Sequence, residues 1–330
     1  MKLPHRRQFL QLLAGAAALP TPPHVAQAQA YPIRPITMIV PFAPGGASDV
    51  TARIIANHMR TVLGQSVIVE NVAGAAGNIG TGRVARSAPD GYTLIFGQWG
   101  THVINGAIYP LQYDVLRDFE PIALISSNPW LIVARKTAPA DDLISFIAWL
   151  KANPDKMSQG TAGVGAASHI AGLFFQRATG TRFQFVPYRG GGPAMQDLVA
   201  GRIDLMVDTP VGSVPQVRAG TIKAFAVTAK DRLAALPAVP TVDEAGVPGL
   251  YVSFWQAMWA PRGTPKDITS KLNSAAMTSL ADSVVRQRLS DFGQDIYPPE
   301  QQTSDALAAF HKAEIEKWWP ILKAANIKGE

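Results

Sequence analysis

The run Ile39-Val40-Pro41-Phe42-Ala43-Pro44-Gly45-Gly46-Ala47-Ser48-Asp49 has the residue types and order to hold an anion. Pro41 and Pro44 fix φ as the chain leaves an apolar stretch, and Gly45 and Gly46 let the backbone approach a guest without a Cβ in the way. Ser48 and Asp49 suit the first turn of a helix, so the loop ends at the positive end of a helix dipole. Strand, glycine pair and helix N-terminus together make a cradle of backbone N–H groups. Similar loops recur at Gly97-Gln98-Trp99-Gly100-Thr101-His102, at Gly160 to His169, at Tyr188-Arg189-Gly190-Gly191-Gly192-Pro193 and at Asp208-Thr209-Pro210.

Machinery for transforming a bound anion is missing from the sequence. There is no G-x-x-x-x-G-K-[ST] phosphate loop, no H-E-x-x-H and no G-x-S-x-G elbow. Gly163-Val164-Gly165-Ala166-Ala167-Ser168 approaches a dinucleotide fingerprint but ends in Ser. The six histidines lack metal-ligand spacing, and zero cysteines exclude disulfides, thiolate chemistry and a lipid-anchored N-terminal cysteine. No cofactor and no metal are expected.

The elements that must position these loops follow from composition and periodicity. With 330 residues, 47% hydrophobic and 16% charged, the chain has ample apolar material for two domains. Its start reads as an export signal. Arg6-Arg7 precedes a mildly apolar run, and Ala26-Gln27-Ala28 and Ala28-Gln29-Ala30 each offer a small-x-small cleavage site. The arginine pair points to twin-arginine export, with an ordinary signal peptide as the alternative. That run is about half the ~20 residues a membrane span needs. The expected product is a soluble periplasmic protein cleaved near Ala28 or Ala30. Loss of Lys2, Arg6 and Arg7 takes the net charge from +6 to +3, too small and scattered for nucleic acid.

From Tyr31 onward, short apolar runs alternate with helical patterns. Strands are expected at 36–40, 67–70, 92–96, 131–135, near 158, and at 183–187, 203–207, 222–228 and 252–260. Helices are expected at 50–63, 143–152, 168–178, 193–200, 213–219, 266–281 and in the last segment to about 325. This rhythm implies βαβ units and parallel sheets. The expected lobes are residues 31–132 with 254–330, and residues 133–253, joined by two crossing strands.

These stretches resemble the Bug family, the periplasmic receptors of tripartite tricarboxylate transporters. The likeness rests on Val40 to Asp49, Val69-Glu70-Asn71 with Gly77-Asn78-Ile79-Gly80, Pro89-Asp90-Gly91-Tyr92-Thr93-Leu94, and Gly100-Thr101-His102. Gly163-Val164-Gly165 with Ser168-His169, Val186 to Gly190, Ala226-Val227-Thr228 and Pro240 to Gly246 continue it in family order. The resemblance implies an α/β, two-lobed, type II Venus-flytrap fold with a two-strand hinge, holding a ligand carboxylate between the first loop and the middle-lobe glycine loop. The expected ligand-binding residues are Phe42, Ala43, Gly45, Gly46, Ser48, Asp49, Trp99, Gly100, Thr101, Thr161, Ala162, Gly163, Ala166, Ser168, His169, Tyr188 and Asp208. Ala166 stands where many relatives carry a hydroxyl, and Trp99 where they often carry something small. Trp99 is therefore expected to reach the cleft and shape ligand choice, with core packing as the alternative. Ser48 and Asp49 equally suit helix capping, His169 a backbone bond within its loop, and Asp208 a cap on the following loop. Trp130 and Trp255 are assigned to packing near the crossing strands. The expected partners are a small carboxylate and a membrane permease, or a sensor kinase in its place, with the chain acting as a monomer.

Overall fold

The computed structural model describes residues 31–329, so the export signal expected at 1–30 lies outside the described residues. Two mixed sheets form the framework. In the first, β1 (Ile36–Val40) lies between β2 (Val67–Asn71) and β3 (Thr93–Gln98), parallel to both. The near-continuous apolar run of β1 is almost wholly buried, as a strand covered on both faces requires. Next comes β10 (Ser253–Pro261), antiparallel to β3 and to the long β4 (Phe119–Pro129), with a two-residue edge strand, β11 (Asp295–Ile296), beyond. The second sheet runs β7 (Gln184–Pro187), β6 (Ser158–Thr161), β8 (Leu205–Asp208), β5 (Leu131–Arg135), β9 (Ile222–Val227). There β5 is antiparallel to both neighbours, while β6 is parallel to β7 and β8.

The parallel sheets expected from the alternating rhythm are thus corrected to mixed ones. β4 hides in the sequence because Pro121, Ser126, Ser127 and Asn128 interrupt its apolar pattern. Register shifts against β10 absorb the irregularity, pairing Trp259 with Pro121 and Met258 with Ala123.

Helices cover both sheets. α1 (Ala47–Leu63) turns Ile55, Met59 and Leu63 inward and packs against α8 (Lys266–Ala281), followed by α9 (Ser283–Asp291). Short helices α2 (Asn78–Ala85) and α3 (Asn105–Ile108) flank the first sheet, and α4 (Leu143–Ala152) the second. Between β3 and α3 the expected loop is instead a wide helical turn, Gly100–Ile104. The second sheet carries α5 (Ala167–Thr179), α6 (Gly191–Val199) and α7 (Pro210–Arg218), and α10 (Ser304–Ala324) returns to the first.

The chain passes from β4 to β5 across Trp130 and returns between β9 and β10. The Trp130 amide donates to Thr228 Oγ1 at 2.9 Å, and that hydroxyl donates to the Val252 carbonyl at 2.8 Å. The two crossings are thereby tied together. Among the described residues no helix is long and apolar enough to cross a membrane.

Candidate functional site

A cavity of about 50 Å³ lies between the sheets, lined by Phe42, Gly46, Ala47, Ser48, Gln98, Trp130, Ala162, Ala167, Ser168, Gly191, Met206, Asp208, Thr209 and Phe254. Its walls are the N-termini of α1, α5, α6 and α7. Their N-cap residues, Gly46, Ala166, Gly190 and Thr209, supply no side-chain cap. The first-turn amides of a helix have no intrahelical partner and carry the positive end of its dipole. Four such ends face one cavity, whose lining contains no Lys, Arg or His.

The lobes are in contact around it. The Ala43 amide donates to the Arg189 carbonyl at 2.9 Å, and Tyr109 Oη donates to the Val164 carbonyl. A Cβ on Gly192 would lie 2.5 Å from the Pro44 carbonyl oxygen and 3.0 Å from the Gly45 carbonyl carbon. The glycine turn of one lobe therefore lies directly against the first loop of the other.

Phe42, Gly46, Ser48, Ala162, Ser168 and Asp208 of the expected residues line the cavity. Ser168 Oγ accepts from the Ala162 amide at 2.9 Å, so it shapes its own loop as well. Ala43, Gly163 and Tyr188 line a larger adjoining groove, and the Tyr188 hydroxyl donates to Asp197 Oδ2 at 2.7 Å. Gly100 sits where the lobes meet, since a Cβ there would approach the Ala167 amide to 3.2 Å.

The remaining expected residues build the walls from behind. Asp49 is 4% exposed, and its carboxylate accepts from the Gly45 amide, Arg53 Nε and Asn71 Nδ2 at 2.9–3.0 Å. Burial pushes its carboxyl up, but these bonds outweigh that and hold it below the usual value. Asp49 therefore braces the loop, whose Gly45 has φ +81°. His169 Nδ1 accepts from the Gly165 amide at 2.8 Å and its ring stands edge-on to Phe185, so it organises the glycine loop. Thr161 Oγ1 donates to the Gly163 carbonyl at 3.2 Å and Thr101 Oγ1 to the Gln98 carbonyl at 3.0 Å. Ala166 serves as the N-cap of α5.

Trp99 is the largest correction. It is 0% exposed and packs edge-on against Trp318, ring centroids 4.8 Å apart, inside the core. The neighbouring Gln98 reaches the cavity in its place. Trp130, expected to serve packing, lines the cavity beside Phe254, ring centroids 5.3 Å apart. Its buried indole N–H has no hydrogen-bond partner among the described residues. The signal available in sequence was its place at the crossing between the lobes.

Asp208 is the one ionisable group in the lining, and it is 6% exposed. Its Oδ2 accepts from Ser213 Oγ at 2.7 Å. Burial pushes the carboxyl up to about 6, partly opposed by that hydroxyl and the Thr209 amide. A folded-state value above the ordinary 3.8 means the folded protein binds this proton more tightly than the unfolded chain. This group's cost is therefore absent at low pH and develops as pH rises from near 4 through 6. It reaches roughly 3 kcal/mol above that window. Melting temperature of unliganded protein against pH should show this decline, and Asp208→Asn should remove it; a variant profile parallel to wild type would refute the assignment.

Residues 51–327 match the model of the tripartite tricarboxylate transporter family receptor. A UPF0065 protein of Agrobacterium vitis is 41% identical over 97% of this chain and 92% of its own length. The structure of the periplasmic binding protein BugD is 38% identical, covers 91% of this chain and 100% of its own, and superposes with a TM-score of 0.87. MatC from Rhodopseudomonas palustris with bound malate is 41% identical over 88% of this chain and 100% of its own, with a TM-score of 0.85. A match over nearly the whole described length, on the same two-lobed α/β fold, means that the chain belongs to the Bug family of non-enzymatic periplasmic receptors of tripartite tricarboxylate transporters.

Proposed function

We propose that this chain captures a small carboxylate between its two lobes and hands the closed form to the membrane permease of a tripartite tricarboxylate transporter. The lobes are residues 31–132 with 254–330, and residues 133–253. Residues 1–30 act as a twin-arginine signal, and the mature periplasmic protein works as a monomer. The observation that carries the reading is the convergence of uncapped helix N-termini from both lobes on one cavity. A carboxylate there accepts from backbone amides of α1 on one side and of α5 and α6 on the other, with Ser48 and Ser168 adding hydroxyls. It favours the closed form because only that form assembles all the donors, which is a population shift driven by differential affinity. The malate bound by MatC is a ligand of the proposed class.

A thermal-shift screen of the mature protein against mono-, di- and tricarboxylates, aromatic acids and amino acids tests this. A true ligand at a hundredfold over its Kd stabilises by about 2.7 kcal/mol. A melting temperature unmoved by every carboxylate would overturn the proposal.

A further inference from the structure

The first sheet ends in a strand that pairs on one side only. β2 takes its ladder from β1 and has no strand beyond it among the described residues. The Ile36 amide donates to the Ser66 carbonyl and the Val72 amide to the Val40 carbonyl. Backbone groups therefore alternate so that those of 66, 68, 70 and 72 face β1, while the N–H and C=O of Val67 and Val69 point outward. The strand reads Val-Ile-Val-Glu-Asn, in unbroken register, with none of the prolines, lysines or bulges that usually guard a free edge. Beside it runs a groove of about 670 Å³ between β2, α1 and α9. Val50, Ile54, Val67, Val69 and Phe292 give the groove an apolar lining. Arg53, Asn57 and Arg60 recur at i, i+4 and i+7 along one face of α1, and Arg288 joins them from α9. Arg53 is paired with Asp49, but Arg60 and Arg288 are exposed and have no ion-pair partner among the described residues. No carboxylate lines the groove, and Glu70 of the strand itself is engaged by Arg83.

We propose that this edge is a docking surface for a partner protein, which adds an extended acidic segment to β2 as a further strand. The outward backbone groups of Val67 and Val69 supply the ladder, and alternate side chains of the incoming segment turn toward the groove. Carboxylates among them meet Arg60 and Arg288. Two arginines without counter-ions favour a carboxylate and repel a basic segment, so charge selects the partner. A second copy of this chain, paired edge to edge through β2, would bring the same arginines toward their own kind. A lipid surface would leave the open backbone edge unanswered. The groove shares no lining residue with the cavity between the lobes, so the surface is independent of what that cavity holds.

The test titrates the mature protein with two end-blocked peptides of roughly eight residues, long enough to span the five-residue strand. One alternates Glu with Val, and the other carries Lys in place of Glu. By fluorescence anisotropy the acidic peptide should bind at least tenfold tighter than the basic one. Hydrogen exchange should slow at the Val67 and Val69 amides when it binds. Arg60→Glu combined with Arg288→Glu spares the Arg53–Asp49 pair and, checked for folding by circular dichroism, should weaken the acidic peptide at least tenfold. Equal affinity for the two peptides, or full affinity in the double variant, would overturn the acidic partner. Binding without protection at Val67 and Val69 would overturn strand addition. Silence of both peptides at millimolar concentration would overturn the docking surface, whether or not carboxylates still raise the melting temperature. Phosphatidylglycerol vesicles that sediment the wild type but not the double variant would replace the partner protein with a lipid surface. A dimer in sedimentation velocity that the double variant loses would replace it with a second copy.

Discussion

Replacing Gly192 with alanine is expected to weaken ligand binding roughly 5- to 150-fold while leaving the unliganded protein at least as stable as wild type. The new Cβ would lie 2.5 Å from the Pro44 carbonyl oxygen, 3.0 Å from the Gly45 carbonyl carbon and 3.2 Å from the Gly46 amide nitrogen. All three are backbone atoms of the opposite lobe, so no side-chain rotation relieves the overlap. The lobes must stand apart, at a cost of about 1–3 kcal/mol by analogy with overpacked cores. Gly192 lies in α6 and has no left-handed φ, so alanine suits its local backbone. In the open form the same substitution should favour the helix by up to about 1 kcal/mol. Calorimetric titration with a carboxylate found in the thermal-shift screen measures the first effect, and the unliganded melting temperature the second. Wild-type affinity in this variant would mean that ligand binding does not require the lobe contact seen here. Gly46, the glycine that the first loop makes most conspicuous, is the weaker choice, because a Cβ there meets its nearest atoms at 3.5 and 3.6 Å.

Trp99→Ala is expected to cost about 3–5 kcal/mol of stability, as removing a fully buried large aromatic usually does. The lost contacts are with the core around α10, including the edge-on pair with Trp318. The melting temperature should fall on the order of 10 °C. Ligand preference should persist, because Trp99 is absent from the cavity wall. Altered preference in a variant of undiminished stability would return Trp99 to the cleft. Melting curves with the ligand series separate the two outcomes.

The contrast between Trp99 and Trp130 shows why the site was only partly legible. Both are tryptophans near glycine- or proline-rich junctions, and composition treats them alike. Which one faces the cavity depends on α10, more than 180 residues further along the chain, whose Trp318 closes over Trp99. Asp49 and His169 were ambiguous for a related reason. Each can bond either a guest or its own loop, and the loop's folded shape brings the Gly45 and Gly165 amides within reach. β4 was missed because its prolines and polar residues break the alternation on which strand reading relies, and its bulged pairing with β10 is a long-range fact.

The glycine-rich loops, the positions of most helices and strands, and the family to which they belong are all legible in the chain's local sequence. These are local properties, carried by proline and glycine backbone limits and by hydrophobic periodicity. The tertiary structure alone decided that the N-termini of α1, α5, α6 and α7 share one cavity and that Asp208 is its single ionisable group. It also decided that Gly192, rather than Gly46, is where the lobes meet most tightly. Each of these depends on two lobes packing across a double crossing of the chain, and no local preference encodes the distance between residues so far apart in sequence.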